Sequence, residues 1–168
     1  MDKTQSFTSK IKAKWDEGKF VCVGLDSDYD KLPNSIKTDS AEDSIYNFNT
    51  AIVDKTHDLV CSYKINSAFY EAEGVPGLHA IIKTIHYIKD AYPDIPVILD
   101  AKRGDIGNTN SGYIKAAFET LKADAITVHP YLGKESLQPF LDLKDKGIIV
   151  LVRTSNPGSG EFQDFSDN

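Results

Sequence analysis

Cysteine is scarce in this 168-residue sequence: Cys22 and Cys61 are the only two, beside one methionine and one tryptophan. Both cysteines sit inside short apolar runs, with no CxxC and no Cys/His spacing. That excludes a disulfide framework and a zinc site, and leaves two buried thiols in a reducing compartment as the expectation. Positive charge is also short. The net charge is −6 and no basic run interrupts it, so no nucleic-acid partner is expected. No apolar run reaches the roughly 18 residues of a transmembrane helix. The opening MDKTQSFTSK lacks the apolar segment of a signal peptide, so no membrane partner is expected and the cytoplasm follows by default. Missing too are a G-x-G-x-x-G after the first strand, a P-loop, a metal-binding helix motif and a Ser-His-Asp spacing, which weakens the dinucleotide, nucleotide-triphosphate, metalloprotease and hydrolase classes.

What is present is an ordinary globular composition, 40% hydrophobic and 26% charged, enough for one domain over residues 1–168. Phe7, Ile11 and Trp15 recur every fourth residue and predict a short helix ending near Gly18, with Trp15 in the core. Apolar runs predict strands at 20–25, 59–65, 96–102, 125–128 and 147–152, with a loop at 32–38. Between them, helical periodicity covers 41–57 (Ile45, Phe48, Ile52, Val53), 78–91 (Leu78, Ile81, Ile82, Ile85, Ile88), 112–121 and 134–143. Strand and helix in alternation mean a parallel α/β sheet, either doubly wound or a (β/α)8 barrel. The barrel is favoured because chemistry-bearing residues stand at every strand end: Asp26, Lys64, Asp100 with Lys102, His129 and Ser155. Strands that all contribute to one site at their C-terminal ends are barrel geometry.

The stretch VILDAKRGDIGNTN, residues 97–110, concentrates that chemistry. An apolar strand turns abruptly polar, and Asp100 and Lys102, two apart, face the same side. Asp105 follows in a Gly-flanked loop, and Asn108 and Thr109 are suited to cap the next helix. Asp-x-Lys at a strand end can be a simple ion pair. With a second acid it can also hold a divalent cation, support a Schiff base, or keep Lys102 an ammonium that donates a proton. Arg103 is suited to pair with Asp105 or with an interface acid, His129 to make a structural hydrogen bond, and Tyr70, Tyr113 and Tyr131 to pack.

DAKRGDIGNTN resembles the D-x-K-x-x-D signature of orotidine 5'-phosphate decarboxylases of the bacterial type 2 subgroup. FVCVGLDSD, SYKINSAFYE, ITVHPYLG and VRTSNPGSGEF resemble the same family, in order. The resemblance implies a TIM barrel, a shared-site homodimer, orotidine 5'-monophosphate as substrate, and no metal, cofactor or covalent intermediate. It implies Lys102 as the proton donor to C6, Asp100 beside the departing carboxylate, and Asp105 as an acid delivered into the partner's site. Lys64 would bond Asp100 and the ribose, Asp26 the ribose 3'-hydroxyl, Thr109 the partner's ribose 2'-hydroxyl, and Ser155 the pyrimidine amide.

Five β-α units fall short of eight, so the chain reads as a barrel truncated after its fifth unit, ending in the poorly patterned EFQDFSDN. Two rival readings follow. One is a magnesium-dependent sugar-phosphate decarboxylase or aldolase resembling 3-keto-gulonate-phosphate decarboxylase. The other is a non-catalytic half-barrel.

Overall fold

In a computed structural model that describes residues 5–164, five strands pair in parallel in strict chain order. They are β1 (Val21–Gly24), β2 (Val60–Asn66), β3 (Val97–Arg103), β4 (Ala125–Val128) and β5 (Gly147–Val150). A doubly wound sheet reverses direction about its first strand. Here every step adds the next strand on the same side, which is how a barrel wall is laid down, and the chain builds five β-α units of one. Residues 1–4 and 165–168, parts of the opening stretch and of the tail, lie outside the described residues.

The helices are α1 (Phe7–Asp16), α2 (Ala41–Thr56), α3 (Ser67–Glu71), α4 (Gly74–Ala91), α5 (Gly107–Ile114), α6 (Gly133–Leu141) and α7 (Gly160–Gln163). Ser40 caps α2 by accepting the Asp43 N–H at 3.1 Å. One face of the sheet carries Tyr63, Ile65, Val97, Leu99, Ile126 and Val128, which pack with Ile45 and Val53 of α2 and Ile81, Ile85 and Ile88 of α4. By the two-residue period of a strand, Ser62, Lys64, Ile98, Asp100 and Thr127 belong to the opposite face. Ser62, Lys64, Asp100 and Thr127 thus share the face opposite the helix-packed core.

Several expectations from periodicity need correcting. Trp15 is 51% exposed, whereas Lys10 and Lys14 of the same helix are buried at 7% and 4%. The helix is phased by ion pairs: Lys10 Nζ reaches Asp124 at 3.2 Å and the Pro93 carbonyl at 2.8 Å, and Lys14 binds Asp94. Asp124 also takes Lys89 at 2.6 Å and the Val97 N–H at 2.9 Å, so one carboxylate ties α1 and α4 to β3. Phe7 does pack inward, so tightly against Gly147 that a Cβ there would lie 2.5 Å from its ring. Cys22 is exposed rather than buried, because β1 is an edge of the described sheet; Cys61, on β2, is buried. Leu78 and Tyr131 are exposed as well. The helix expected at 112–121 begins earlier and continues as a wider π-helical turn over Lys115–Thr120. Asn108 and Thr109 thus stand inside its first turn and Ile106 holds the cap position, without a side-chain cap. The short α3 lacked enough residues to show a period.

Candidate active site

The C-terminal ends of β1, β2 and β3 bring four charged side chains into one alternating row. Both Asp26 oxygens accept from Lys64 Nζ, at 3.0 and 3.1 Å, and Oδ1 also accepts the Asn66 N–H at 3.1 Å. Lys64 reaches on to Asp100 Oδ2 at 3.4 Å. Asp100 Oδ1 accepts from Lys102 Nζ at 2.6 Å and from the Thr127 hydroxyl at 2.8 Å. The row reads Asp26, Lys64, Asp100, Lys102, with no net charge. Lys102 stands at its open end, its side chain 48% exposed. Asp100 is the one hydrogen-bond partner of its ammonium among the described residues, leaving two ammonium donors for a bound molecule.

The backbone explains how Asp100 and Lys102 meet. β3 and β4 are in register at Leu99 with Ile126 and again at Arg103 with Val128, so β3 spends two extra residues between these pairs. Lys102 lies within that bulge at φ 47°, a left-handed conformation costly for a residue with a Cβ. Thr127 holds it there: its Oγ accepts the Lys102 N–H at 2.9 Å while its hydroxyl proton goes to Asp100. Bulges of this kind re-aim a side chain beside active sites.

Burial pushes the Asp100 carboxyl up, but hydrogen bonds from Lys102 and Thr127 and the charges of Lys102 and Lys64 outweigh it. The carboxyl titrates below its ordinary 3.8. Asp100 is therefore an anion at neutral pH, largely shielded from water and fixed by three donors. Behind Asp26 a buried polar node fixes the chain. The Tyr70 hydroxyl donates to the Leu25 carbonyl at 2.6 Å, Asn49 donates to Tyr70 at 2.8 Å and to Thr84 at 3.0 Å, and the Ser27 hydroxyl donates to Asn49.

The other expected residues stand apart from the row. Asp105 lies in the turn beyond β3, its Oδ1 accepting the Ile106 N–H at 2.7 Å. Thr109 is exposed in α5, and Ser155 is exposed after β5 without a side-chain hydrogen bond among the described residues. Arg103 pairs with Glu71 rather than Asp105, its guanidinium 5.4 Å from the Tyr113 ring centroid. His129 makes the structural hydrogen bond expected of it, donating from Nε2 to the Gly104 carbonyl at 3.0 Å. Sequence reasoning passed over Thr127, Asn66 and Asn49. The available signal for Thr127 was its place as the one polar residue of AITV, two before His129. Among the described residues, no cluster of three or more His, Cys, Asp or Glu side chains offers a metal site.

A sequence model of the orotidine 5'-phosphate decarboxylase / HUMPS family matches residues 19–167. The chain belongs to that family. An orotidine 5'-phosphate decarboxylase from Cellvibrio japonicus is 48% identical over 96% of the chain, and one from Flavobacterium johnsoniae is 52% identical over 89%. The chain spans 59% and 54% of those two relatives. The structure of Leishmania donovani OMP decarboxylase superposes with a TM-score of 0.84 at 35% identity, covering 97% of this chain and 60% of that one. Every member of the charged row, and Thr127 with it, falls inside the stretch that matches the orotidine 5'-phosphate decarboxylase / HUMPS family, whereas α1 precedes it.

Proposed function

We propose that this protein is an orotidine 5'-phosphate decarboxylase, its residues 1–168 forming part of one barrel domain, acting in the cytoplasm as a homodimer with shared sites. The observation that carries the reading is the Asp100–Lys102 pair at 2.6 Å, held on a β3 bulge by Thr127 and backed by Lys64 and Asp26. In orotidine 5'-monophosphate, the bond from C6 to its carboxylate breaks and carbon dioxide leaves. The electron pair left on C6 takes a proton from the Lys102 ammonium, and water returns a proton to the lysine. Asp100, an anion at working pH, lies beside the departing carboxylate. Its negative charge opposes the substrate's and its hydrogen bonds keep Lys102 aimed at C6. The fixed row supplies preorganised charge where charge develops, and repulsion by Asp100 adds to it. Lys64 and Asp26 take ribose hydroxyls, Thr109 and Asp105 enter the partner's site, and Ser155 contacts the pyrimidine amide.

The rival reading is a magnesium-dependent sugar-phosphate decarboxylase or aldolase of the same superfamily. The row disfavours that chemistry, because the carboxylates of Asp26 and Asp100 both already carry lysine ammoniums, which repel a divalent cation. Turnover of orotidine 5'-monophosphate in excess EDTA tests the choice. Undiminished formation of uridine 5'-monophosphate is expected, and the Lys102→Ala variant should lose several orders of magnitude in kcat. Activity abolished by EDTA and restored by magnesium would overturn the assignment. So would a Lys102→Ala variant keeping more than about a tenth of kcat, a loss under about 1.4 kcal/mol.

A further inference from the structure

The turn that carries Asp105 is gripped from two sides by side chains that the proposed chemistry leaves idle. Asn110, in α5, is fully buried and spends its whole amide on backbone. Its Oδ1 accepts the Asp105 N–H at 2.9 Å. Its Nδ2 donates to the Asp105 carbonyl and, at 2.6 Å, to the Ser136 carbonyl of α6. One side chain thus satisfies both backbone polar groups of Asp105 and ties them to a neighbouring helix. On the other side, the His129 N–H donates to the Arg103 carbonyl at 3.0 Å, and Nε2 donates to the Gly104 carbonyl at 3.0 Å. The ring packs so closely that a Cβ on Gly104 would lie 2.8 Å from it. Its other nitrogen, Nδ1, is buried without a partner among the described residues, where the Gly104 carbonyl is the ring's one hydrogen-bond partner.

Asn110 is buried and His129 half-buried, and the amide and the imidazole hydrogen-bond to backbone alone. What the arrangement yields here is direction. Four backbone groups between Arg103 and Asp105 are immobilised, while among the described residues the Asp105 carboxylate makes a single hydrogen bond, to the next N–H. We propose that Asn110, assisted by His129 against Gly104, is the positioning residue for Asp105, fixing the path by which that carboxylate leaves the β3 rim for the site it serves. The inference rests on the decarboxylase reading for what Asp105 does, but not for how the turn is held.

Two measurements test it on the intact chain. In a double-mutant cycle, Asn110→Ala should lower kcat by about ten- to a hundredfold while leaving the Kd for uridine 5'-monophosphate within about threefold. Added to Asp105→Ala, it should cost less than about twofold more, because no carboxylate remains to be placed. Fully additive losses would overturn the proposal and reduce Asn110 to a packing residue. His129→Phe, which keeps the ring and removes the donor, should lower kcat in the same direction and serves if Asn110→Ala does not fold. No change in kcat for His129→Phe would then count against the grip. In amide exchange, either variant should speed the Asp105 and Ile106 N–H groups at least about tenfold and leave the β3 core amides slow. Unchanged exchange at the turn would also overturn the proposal. A wild-type complete barrel that fails to turn over orotidine 5'-monophosphate would sink the decarboxylase reading alone, and exchange would still decide the grip.

Discussion

Thr127 joins three functions in one hydroxyl: it accepts the N–H of a strained Lys102, donates to Asp100, and keeps β4 abreast of the bulge. Thr127→Val preserves shape and removes both bonds. It should destabilise by about 1–3 kcal/mol, since a buried N–H and a carboxylate each lose a partner. It should also alter the acid limb of stability. With the folded Asp100 carboxyl below its ordinary 3.8, the unfolded chain binds the proton first as pH falls. The stabilisation is complete above that value and is lost as pH drops through the lower folded one. Without Thr127 the burial penalty is less well opposed, so the folded value rises toward the unfolded one and the pH-dependent contribution shrinks. Urea titrations of both forms at about pH 3 to 6, spanning the ordinary aspartate range, should show a flatter acid limb for the variant. An identical limb would mean that Thr127 does not help hold Asp100 ionised. Asp26, Lys64, Asp100 and Lys102 were legible because charge at the end of an apolar strand stands out. Thr127 was not, since a lone threonine in a strand is ordinary until its partners are seen.

Among the elements, β2, β3 and β4 were legible nearly to the residue, because buried parallel strands read as continuous apolar runs. α1 was misread on its face although its existence was clear. Its stripe of Phe7, Ile11 and Trp15 is real, but the helix is turned by Lys10 and Lys14, whose partners Asp124 and Asp94 lie far along the chain. No local period carries that information. The start of α5 was missed for a similar reason. Gly107 at φ 53° allows the chain to enter the helix at once, and Asn110 secures the preceding turn. The Asp124 node gives the element-scale expectation. Burial already lowers the Lys89 ammonium despite its bonds to Asp124. Asp124→Ala would leave Lys10 and Lys89 without their carboxylate and the Val97 N–H unpaired. A loss of about 3–5 kcal/mol in urea unfolding, followed by circular dichroism, is expected. A loss under about 1 kcal/mol, the range of a solvated surface pair, would contradict the node's role in docking α1.

At the scale of the whole molecule, sequential strand order and family membership agree on a barrel wall with its polar face bearing the charged row. The row and the Asp105 turn belong to one chain, yet they are not joined: no hydrogen bond or ion pair links Asp105 to Asp100 or Lys102 among the described residues. In the proposed homodimer, the row of one copy is completed by Asp105 of another. Mixing Lys102→Ala and Asp105→Ala chains under conditions of demonstrated subunit exchange tests that completion. Each variant alone should be nearly inactive. In a mixed dimer, one site carries both lesions and the other neither. Random pairing should therefore restore about a quarter of wild-type turnover of orotidine 5'-monophosphate, by the symmetry of a two-fold interface. No recovery despite exchange would contradict the shared site and return Asp105 to its own subunit.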